Sequence, residues 1–258
     1  MHRLSLLLSL VSIPVIAGPL NDTGGNFCRD LTTGADTTVT STSTCLPLPV
    51  HGGQDARYGR DAAATRGVLP KVGGGNNGFD FTKIANNGTT LPAGAALGSN
   101  STDWACTYDN NTGLMWEVKT SDAGLRSWVH WYTWYDSAHN YGGNSGTPNG
   151  GTCLNPGRCD TEKYVADVRA LNLCGHNDWR LPTVQELHNL LVGNMLAVYP
   201  AANIDATYFP NTADYYWSST PVPSAPGQAW IVYFNGAQAD RWDSAEHFVS
   251  VRLVRAGQ

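Results

Sequence analysis

The run Asp178-Trp179-Arg180-Leu181-Pro182-Thr183-Val184-Gln185-Glu186-Leu187 decides how the chain is read. Pro182 fixes one backbone angle and biases Leu181 toward an extended conformation. Thr183 then stands where a helix cap is needed, and Glu186, three residues on, can reach back and close a capping box. Leu187, Leu190 and Leu191 supply the apolar stripe that follows. The run predicts a corner between an extended segment and a helix, with no nucleophile and no metal-ligand spacing. An Arg and a Glu at such a corner form a partly buried ion pair more often than a ligand clamp. Trp179, Arg180, Thr183 and Glu186 are therefore assigned to the scaffold.

Working outward, Thr161 is read as the cap of a second helix whose apolar face is Tyr164, Val165, Val168 and Leu171, ended by Cys174-Gly175. After Tyr208 the periodicity shortens to strands. These are Tyr215 to Thr220, Ala229 to Phe234 with the turn Asn235-Gly236 behind it, and Phe248 to Arg255. Upstream, Asp109-Asn110-Asn111-Thr112-Gly113 reads as a hairpin turn before the strand Leu114 to Val118, and Phe79, Phe81 and Ile84 mark another short strand. Two helices followed by an antiparallel sheet predict an α+β domain. We place it at residues 101–258, after an irregular N-terminal region, 18–100, with short strands.

Composition narrows the setting. His2 and Arg3 precede an apolar stretch from Leu4 to Ile16, and Val15 and Ala17 fit the small-residue cleavage rule, so residues 1–17 read as a signal peptide. That stretch is too short for a membrane span, and no later run is long enough. Losing Arg3 takes the net charge from −5 to −6, which argues against nucleic acid and anionic membrane surfaces as partners. The chain is expected to be exported, to the periplasm, the outer surface or the medium. An even number of cysteines, 6, then implies disulfides. Proximity favours Cys28–Cys45 and Cys153–Cys159, which leaves Cys106–Cys174; no C-x2-C or H-x3-H spacing supports zinc.

The stretches Thr112 to Glu117, Asp178 to Thr183 with Glu186-Leu187, Tyr216 to Thr220, Ala229-Trp230 and Val251 to Arg255 together resemble the DUF1566 family, the domain at the C-terminus of the Legionella collagen-like adhesin. Gly53-Gln54-Asp55 resembles a lead-in seen in many members. The resemblance implies a C-type-lectin or formylglycine-generating-enzyme-like fold: a small twisted antiparallel sheet, two helices and long disulfide-bridged loops. It implies exported bacterial surface proteins, often adhesins. Some relatives of the fold are variable proteins of diversity-generating retroelements, diversified near the C-terminal strands. The chain departs from the formylglycine-generating enzymes in having no Cys after Cys174, and its acidity is a poor match for a sulfated polysaccharide.

Two stretches stand out as candidate ligand contacts. Ser127 to Tyr141 carries Trp128, Trp131, Tyr132, Trp134, Tyr135 and Tyr141, with His130, Asp136 and His139 among them. Trp128, Trp131 and Tyr135 fall on one face if the stretch is helical. A core absorbs two or three such rings, so others should be exposed, as suits stacking on sugars or protein hot spots. We choose Trp128, Trp131, Trp134 and Tyr135. Asp240, Arg241, Trp242, Asp243 and His247 sit in what reads as a loop between two late strands, where binding residues concentrate. Asp240, Asp243 and Glu246 offer oxygen ligands for calcium. Trp217 and Trp230 are read as core.

Catalysis has little sequence support: there is no G-x-S-x-G elbow, no H-E-x-x-H helix and no phosphate loop. The expected function is a non-catalytic, adhesin-like domain that binds a glycan or a protein. A hydrolase using carboxylates or His176 and His188, and a structural component of an envelope or pilus assembly, are the alternatives.

Overall fold

A computed structural model describes residues 21, 27–29, 36–38, 59–192, 202–244 and 247–257. The proposed signal peptide and the side chains of Cys28 and Cys45 lie outside the described set. Among the described residues there are ten strands: β1 (Phe27–Arg29), β2 (Asp36–Thr38), β3 (Phe81–Ala85), β4 (Thr90–Leu91), β5 (Trp104–Asp109), β6 (Leu114–Glu117), β7 (Tyr215–Pro221), β8 (Gln228–Tyr233), β9 (Gln238–Asp243) and β10 (Val254–Ala256). The helices are α1 (Arg60–Thr65), α2 (Thr161–Ala170) and α3 (Val184–His188), with a 3-10 turn at Leu173–Gly175. β1 and β2 pair with each other; β10-β6-β5-β3-β4 form one antiparallel sheet and β7-β8-β9 another. The architecture is α+β. The first large sheet reaches back before residue 101 through β3 and β4.

The Asp178 to Leu187 corner folds as its residues dictate. Trp179 is fully buried, and its indole N–H donates to Leu173 O and His176 O, both at 3.1 Å. Arg180 exchanges backbone hydrogen bonds with Val254 at 2.9 and 3.0 Å, which ties the corner to the strand that ends the sheet. Its guanidinium grips Glu186 bidentately at 2.8 and 2.6 Å. Thr183 Oγ1 accepts from the Glu186 amide at 3.2 Å, and Glu186 Oε2 accepts from the Thr183 amide at 2.8 Å, closing the capping box. α3 stops at His188, sooner than the leucine stripe predicts. Turn hydrogen bonds carry the chain on, so Leu187, Leu190 and Leu191 are all buried.

The hairpin turn at Asp109 is as read. Asp109 Oδ1 accepts from the amides of Asn111 and Thr112, and Gly113 adopts a φ of +72°, a conformation that strains any residue with a side chain. The cap of α2 is one residue earlier than expected. Asp160 accepts from the Lys163 amide at 2.8 Å, while the Thr161 hydroxyl bridges the backbone N–H and C=O of Tyr135. Leu171, expected on the buried face, lies exposed beyond the helix end. Cys106–Cys174 and Cys153–Cys159 are disulfides; the first pins β5 to the 3-10 turn.

Two apolar cores form. One gathers Ile84, Tyr132, Trp134, Tyr164, Trp179, Trp217, Ile231 and Leu253; the other holds Phe81, Trp116, Leu187, Phe209, Tyr216, Val232 and Val254. β7 and β8 contribute alternate residues to each, as a strand buried on both faces must. Phe248 to Arg255 was expected as one strand. Regular strand pairing is confined to β10 at its end, while Val249 bridges Tyr132 and Ser250 bridges Tyr216. Arg252 is completely buried within it.

Buried with Arg252 is a charged group that no sequence pattern announced. The Lys119 ammonium lies 3.0 Å from Glu117 Oε1 and 2.8 Å from the Tyr164 hydroxyl, which donates to the same carboxylate oxygen. Glu117 Oε2 accepts from the Leu253 amide at 3.0 Å. Arg252 donates to Glu117 O and Thr212 Oγ1. Burial lowers the Lys119 pKa to about 8 against the pull of Glu117, and raises the Tyr164 hydroxyl well above its usual value. These groups join β6 to α2 and to the C-terminal segment.

Candidate functional site

The stretch from Trp128 to Tyr135 is not helical: a turn at Trp128 and Val129 leads into an extended run from Trp131 to Tyr135. Trp131 bridges Thr152, Tyr132 bridges Val249, Thr133 bridges Asp160 and Tyr135 bridges Gly146. Its aromatics therefore alternate with a period of two, not 3.6. Tyr132 and Trp134 point into the core; Trp131 faces solvent and Tyr135 is half-buried. Trp134 is only 1% exposed and donates its indole N–H to Ser218 O at 3.0 Å, so it belongs to the packing and leaves the candidate set. Tyr135 lies under Lys163 Nζ at 5.6 Å, apart from the other aromatics discussed below.

Trp128 and Trp131 remain 41% and 53% exposed, and Phe248 is 47% exposed. All three lie outside both apolar cores. With Tyr215 and Asp214, these three residues line a cleft of about 300 Å³. Its floor is the buried backbone of Val249 and Ser250, and Ser250 Oγ donates to the carbonyls of Trp128 and His130, both at 3.3 Å. Behind Trp131 the chain is clamped at Gly151, where a Cβ would stand 2.2 Å from Trp131 O. The two tryptophans therefore project from a braced backbone.

The second predicted stretch is not a loop. Asn235-Gly236 turns the chain as expected, but Gln238–Asp243 then pairs with β8 along its whole length as the edge strand β9. Repeated polar residues hid a strand whose exposed outer side needs no apolar alternation. Trp242 is half-buried and packs against Tyr215 at a tilt of 42°, with ring centroids 4.4 Å apart; Tyr215 stacks on Tyr233 at 4.4 Å, and Trp242 on His247 at 4.5 Å. Tyr215 thus joins the Trp128, Trp131 and Phe248 cleft to a ladder that ends at His247. Burial, then Tyr233, then Asp214 and Asp240, raise the Tyr215 pKa. Both carboxylates therefore act on this ring.

Asp240 shares the Trp242 side of β9, while Arg241 and Asp243 project to the other. The structure thus joins Trp128, Trp131, Asp240, Trp242 and His247 on one surface, and separates Trp134, Tyr135, Arg241 and Asp243 from it. Asp240 and Asp243 point apart, which does not suit a shared calcium ion, and Glu246 lies outside the described residues. Among the described residues no cluster of three His, Cys, Asp or Glu side chains suits a metal ion. Trp217 is core as read; Trp230 is only half-buried. His176 and His188 share no hydrogen bond.

Tyr215, Tyr233, Asp214 and Phe248 were missed. The signal for Tyr215 was its place beside Tyr216 in a strand: Tyr216 is fully buried, so its neighbour must face the other way. Phe248 carried no comparable signal, because Ser250, Arg252 and Val254, which share its face by alternation, are all buried.

Among the described residues no helix is long and apolar enough to cross a membrane. Neither the curated proteins nor the solved structures hold a significant match to the chain. Residues 105–255, more than half of the chain, match the model of the Lcl C-terminal domain. That span takes in β5 from its second residue, the corner at Arg180, the aromatic cleft and the start of β10, and the chain belongs to the Lcl C-terminal domain family.

Proposed function

We propose that this is an exported, adhesin-like, non-catalytic domain that recognises a glycan through the surface formed by Trp128, Trp131, Phe248, Tyr215 and Trp242. The observation that carries the reading is the convergence of three exposed aromatics on one cleft with a braced floor. Flat rings with an apolar face and a polar edge suit the apolar faces of pyranose rings, and nearby carboxylates accept from hydroxyls. The apolar N-terminal stretch and the two disulfides support export. The core acid–base group of Glu117, Lys119 and Tyr164 is sealed by packing, which favours a structural role for it over hydrolysis.

A glycan array and a pull-down with the mature protein test the reading, alongside a Trp128→Ala/Trp131→Ala variant. Each truncation of a contact tryptophan should cost about 2 kcal/mol of binding, so the double variant loses well over tenfold in affinity. Its melting temperature should fall only modestly, since Trp128 and Trp131 are 41% and 53% exposed and lie outside both cores. Binding that survives the double variant would place the ligand surface elsewhere. A correctly folded protein that captures no glycan would remove the glycan reading, and a protein partner captured through the same tryptophans would replace it.

A further inference from the structure

We propose that the cleft between Trp128, Trp131, Tyr215 and Phe248 selects a cationic alkylammonium group, a trimethylammonium head above all, and rejects anionic ligands. The inference rests on reading this surface as the ligand face and names the chemistry that it takes.

Four aromatic residues line one small cleft. Aromatic π-systems carry negative faces, and the exposed rings of Trp128, Trp131 and Phe248 line the cleft beside Tyr215, whose own ring packs on Tyr233 and Trp242; such a setting favours a cation that is bulky and weakly hydrated. A quaternary ammonium fits that description; a primary ammonium is held more firmly by its water. The wall carries one charged side chain, Asp214, and it is acidic. Asn235 Nδ2 donates to its Oδ1 at 2.6 Å, which orients the carboxylate at the rim. Asp240 adds a second negative charge that acts on Tyr215.

No Lys or Arg lines the cleft. Arg241, the basic residue of the neighbouring edge strand, projects to the opposite side from Trp242. An anion entering here would lose hydration and meet only carboxylates and π-faces, so it is excluded for the reasons that a cation is welcomed. The net charge of −5 gives the long-range field the same sign. Neutral sugars could still stack on the rims of Trp128 and Trp131, which makes a glycan bearing an ammonium or choline substituent the best-matched occupant.

The test titrates choline chloride into the mature protein, followed by tryptophan fluorescence and calorimetry, against 3,3-dimethyl-1-butanol, which has the same shape without the charge. Choline should bind about tenfold more tightly than the neutral analogue. Asp214→Asn should remove about half of that preference and leave the analogue unchanged, and Trp131→Ala should weaken both. Equal affinity for the two compounds would overturn the proposal, as would choline binding untouched by Trp131→Ala. Glycan binding that persists while choline is ignored overturns the cation inference alone. Choline binding by a protein that captures no glycan upholds it and removes the glycan reading. Pelleting with phosphatidylcholine vesicles would assign the head group to a lipid surface, and capture by a phosphocholine-substituted soluble polymer alone to a decorated polysaccharide.

Discussion

Glu117→Gln is expected to destabilise the domain by about 3 kcal/mol at pH 7 and by about 2 kcal/mol at pH 9.5. The carboxylate serves the Lys119 ammonium and the Tyr164 hydroxyl through one oxygen and the Leu253 amide through the other. A carboxamide can satisfy one side of this arrangement. It then turns an N–H toward another N–H donor, and an unmet buried donor costs roughly 1–3 kcal/mol. It also removes the charge that holds the proton on Lys119, whose pKa burial then pulls down further. In the native fold that pKa is about 8, so forcing the proton off at pH 7 costs on the order of 1 kcal/mol. Breaking a buried ion pair is often quoted at 3–5 kcal/mol; here proton loss caps the charge component. At pH 9.5 Lys119 is already neutral in the native fold, and only the donor conflict remains. For the wild type, the folded pKa lies below the unfolded value of 10.5, so the unfolded chain binds more protons between about pH 8 and 10.5. The stability contributed by Lys119 therefore rises with pH through that window. Urea unfolding followed by tryptophan fluorescence at the two pH values measures both effects. An identical loss at pH 7 and 9.5 would refute the claim that Lys119 carries its charge inside the fold.

Three further outcomes follow from the same geometry. Glu186→Ala loses the capping box and the Arg180 grip together and should lower stability by about 1–2 kcal/mol, with choline and glycan binding unchanged; thermal melts and the binding assay check both halves. Replacing Cys106 and Cys174 together by Ser opens a crosslink across 68 residues and should cost about 4 kcal/mol, read by urea midpoint, whereas losing Cys153–Cys159, a separation of 6, should cost less. Gly151→Ala drives a methyl group against Trp131 O and should weaken ligand binding through movement of Trp131; unchanged affinity would show that the brace behind Trp131 is dispensable.

The corner at Arg180 was legible because capping chemistry is local: Pro182, Thr183 and Glu186 act within a few residues of one another. The Asp109 turn and the β7 and β8 strands were legible for the same reason. Trp128 to Tyr135 misled because aromatic spacing that fits one helical face also fits an extended chain, and only the distant partners Val249, Thr152 and Asp160 decide between them. β9 was hidden because an edge strand can be polar throughout. The core charges were invisible in principle. Glu117 and Lys119 look like any surface pair until Tyr164 and Arg252 arrive from far along the chain to enclose them. Residue choice within the candidate surface split accordingly: Trp128, Trp131 and Trp242 were readable from type, whereas removing Trp134 and adding Tyr215 needed the tertiary structure.

The segment 249–256 bridges Tyr132, Tyr216 and Arg180 and pairs with β6. Every one of those partners precedes it in the chain, by distances that span most of the domain. A polypeptide emerging in order therefore presents both sheets with their joining strip still missing. Sealing the two cores, and burying Arg252 beside Glu117, must wait until these last residues are free. Such non-local closure is slow and leaves apolar edges open in the meantime. The domain should depend on holding chaperones while its chain is incomplete, and loss of the strip should leave an aggregation-prone intermediate rather than a smaller folded domain.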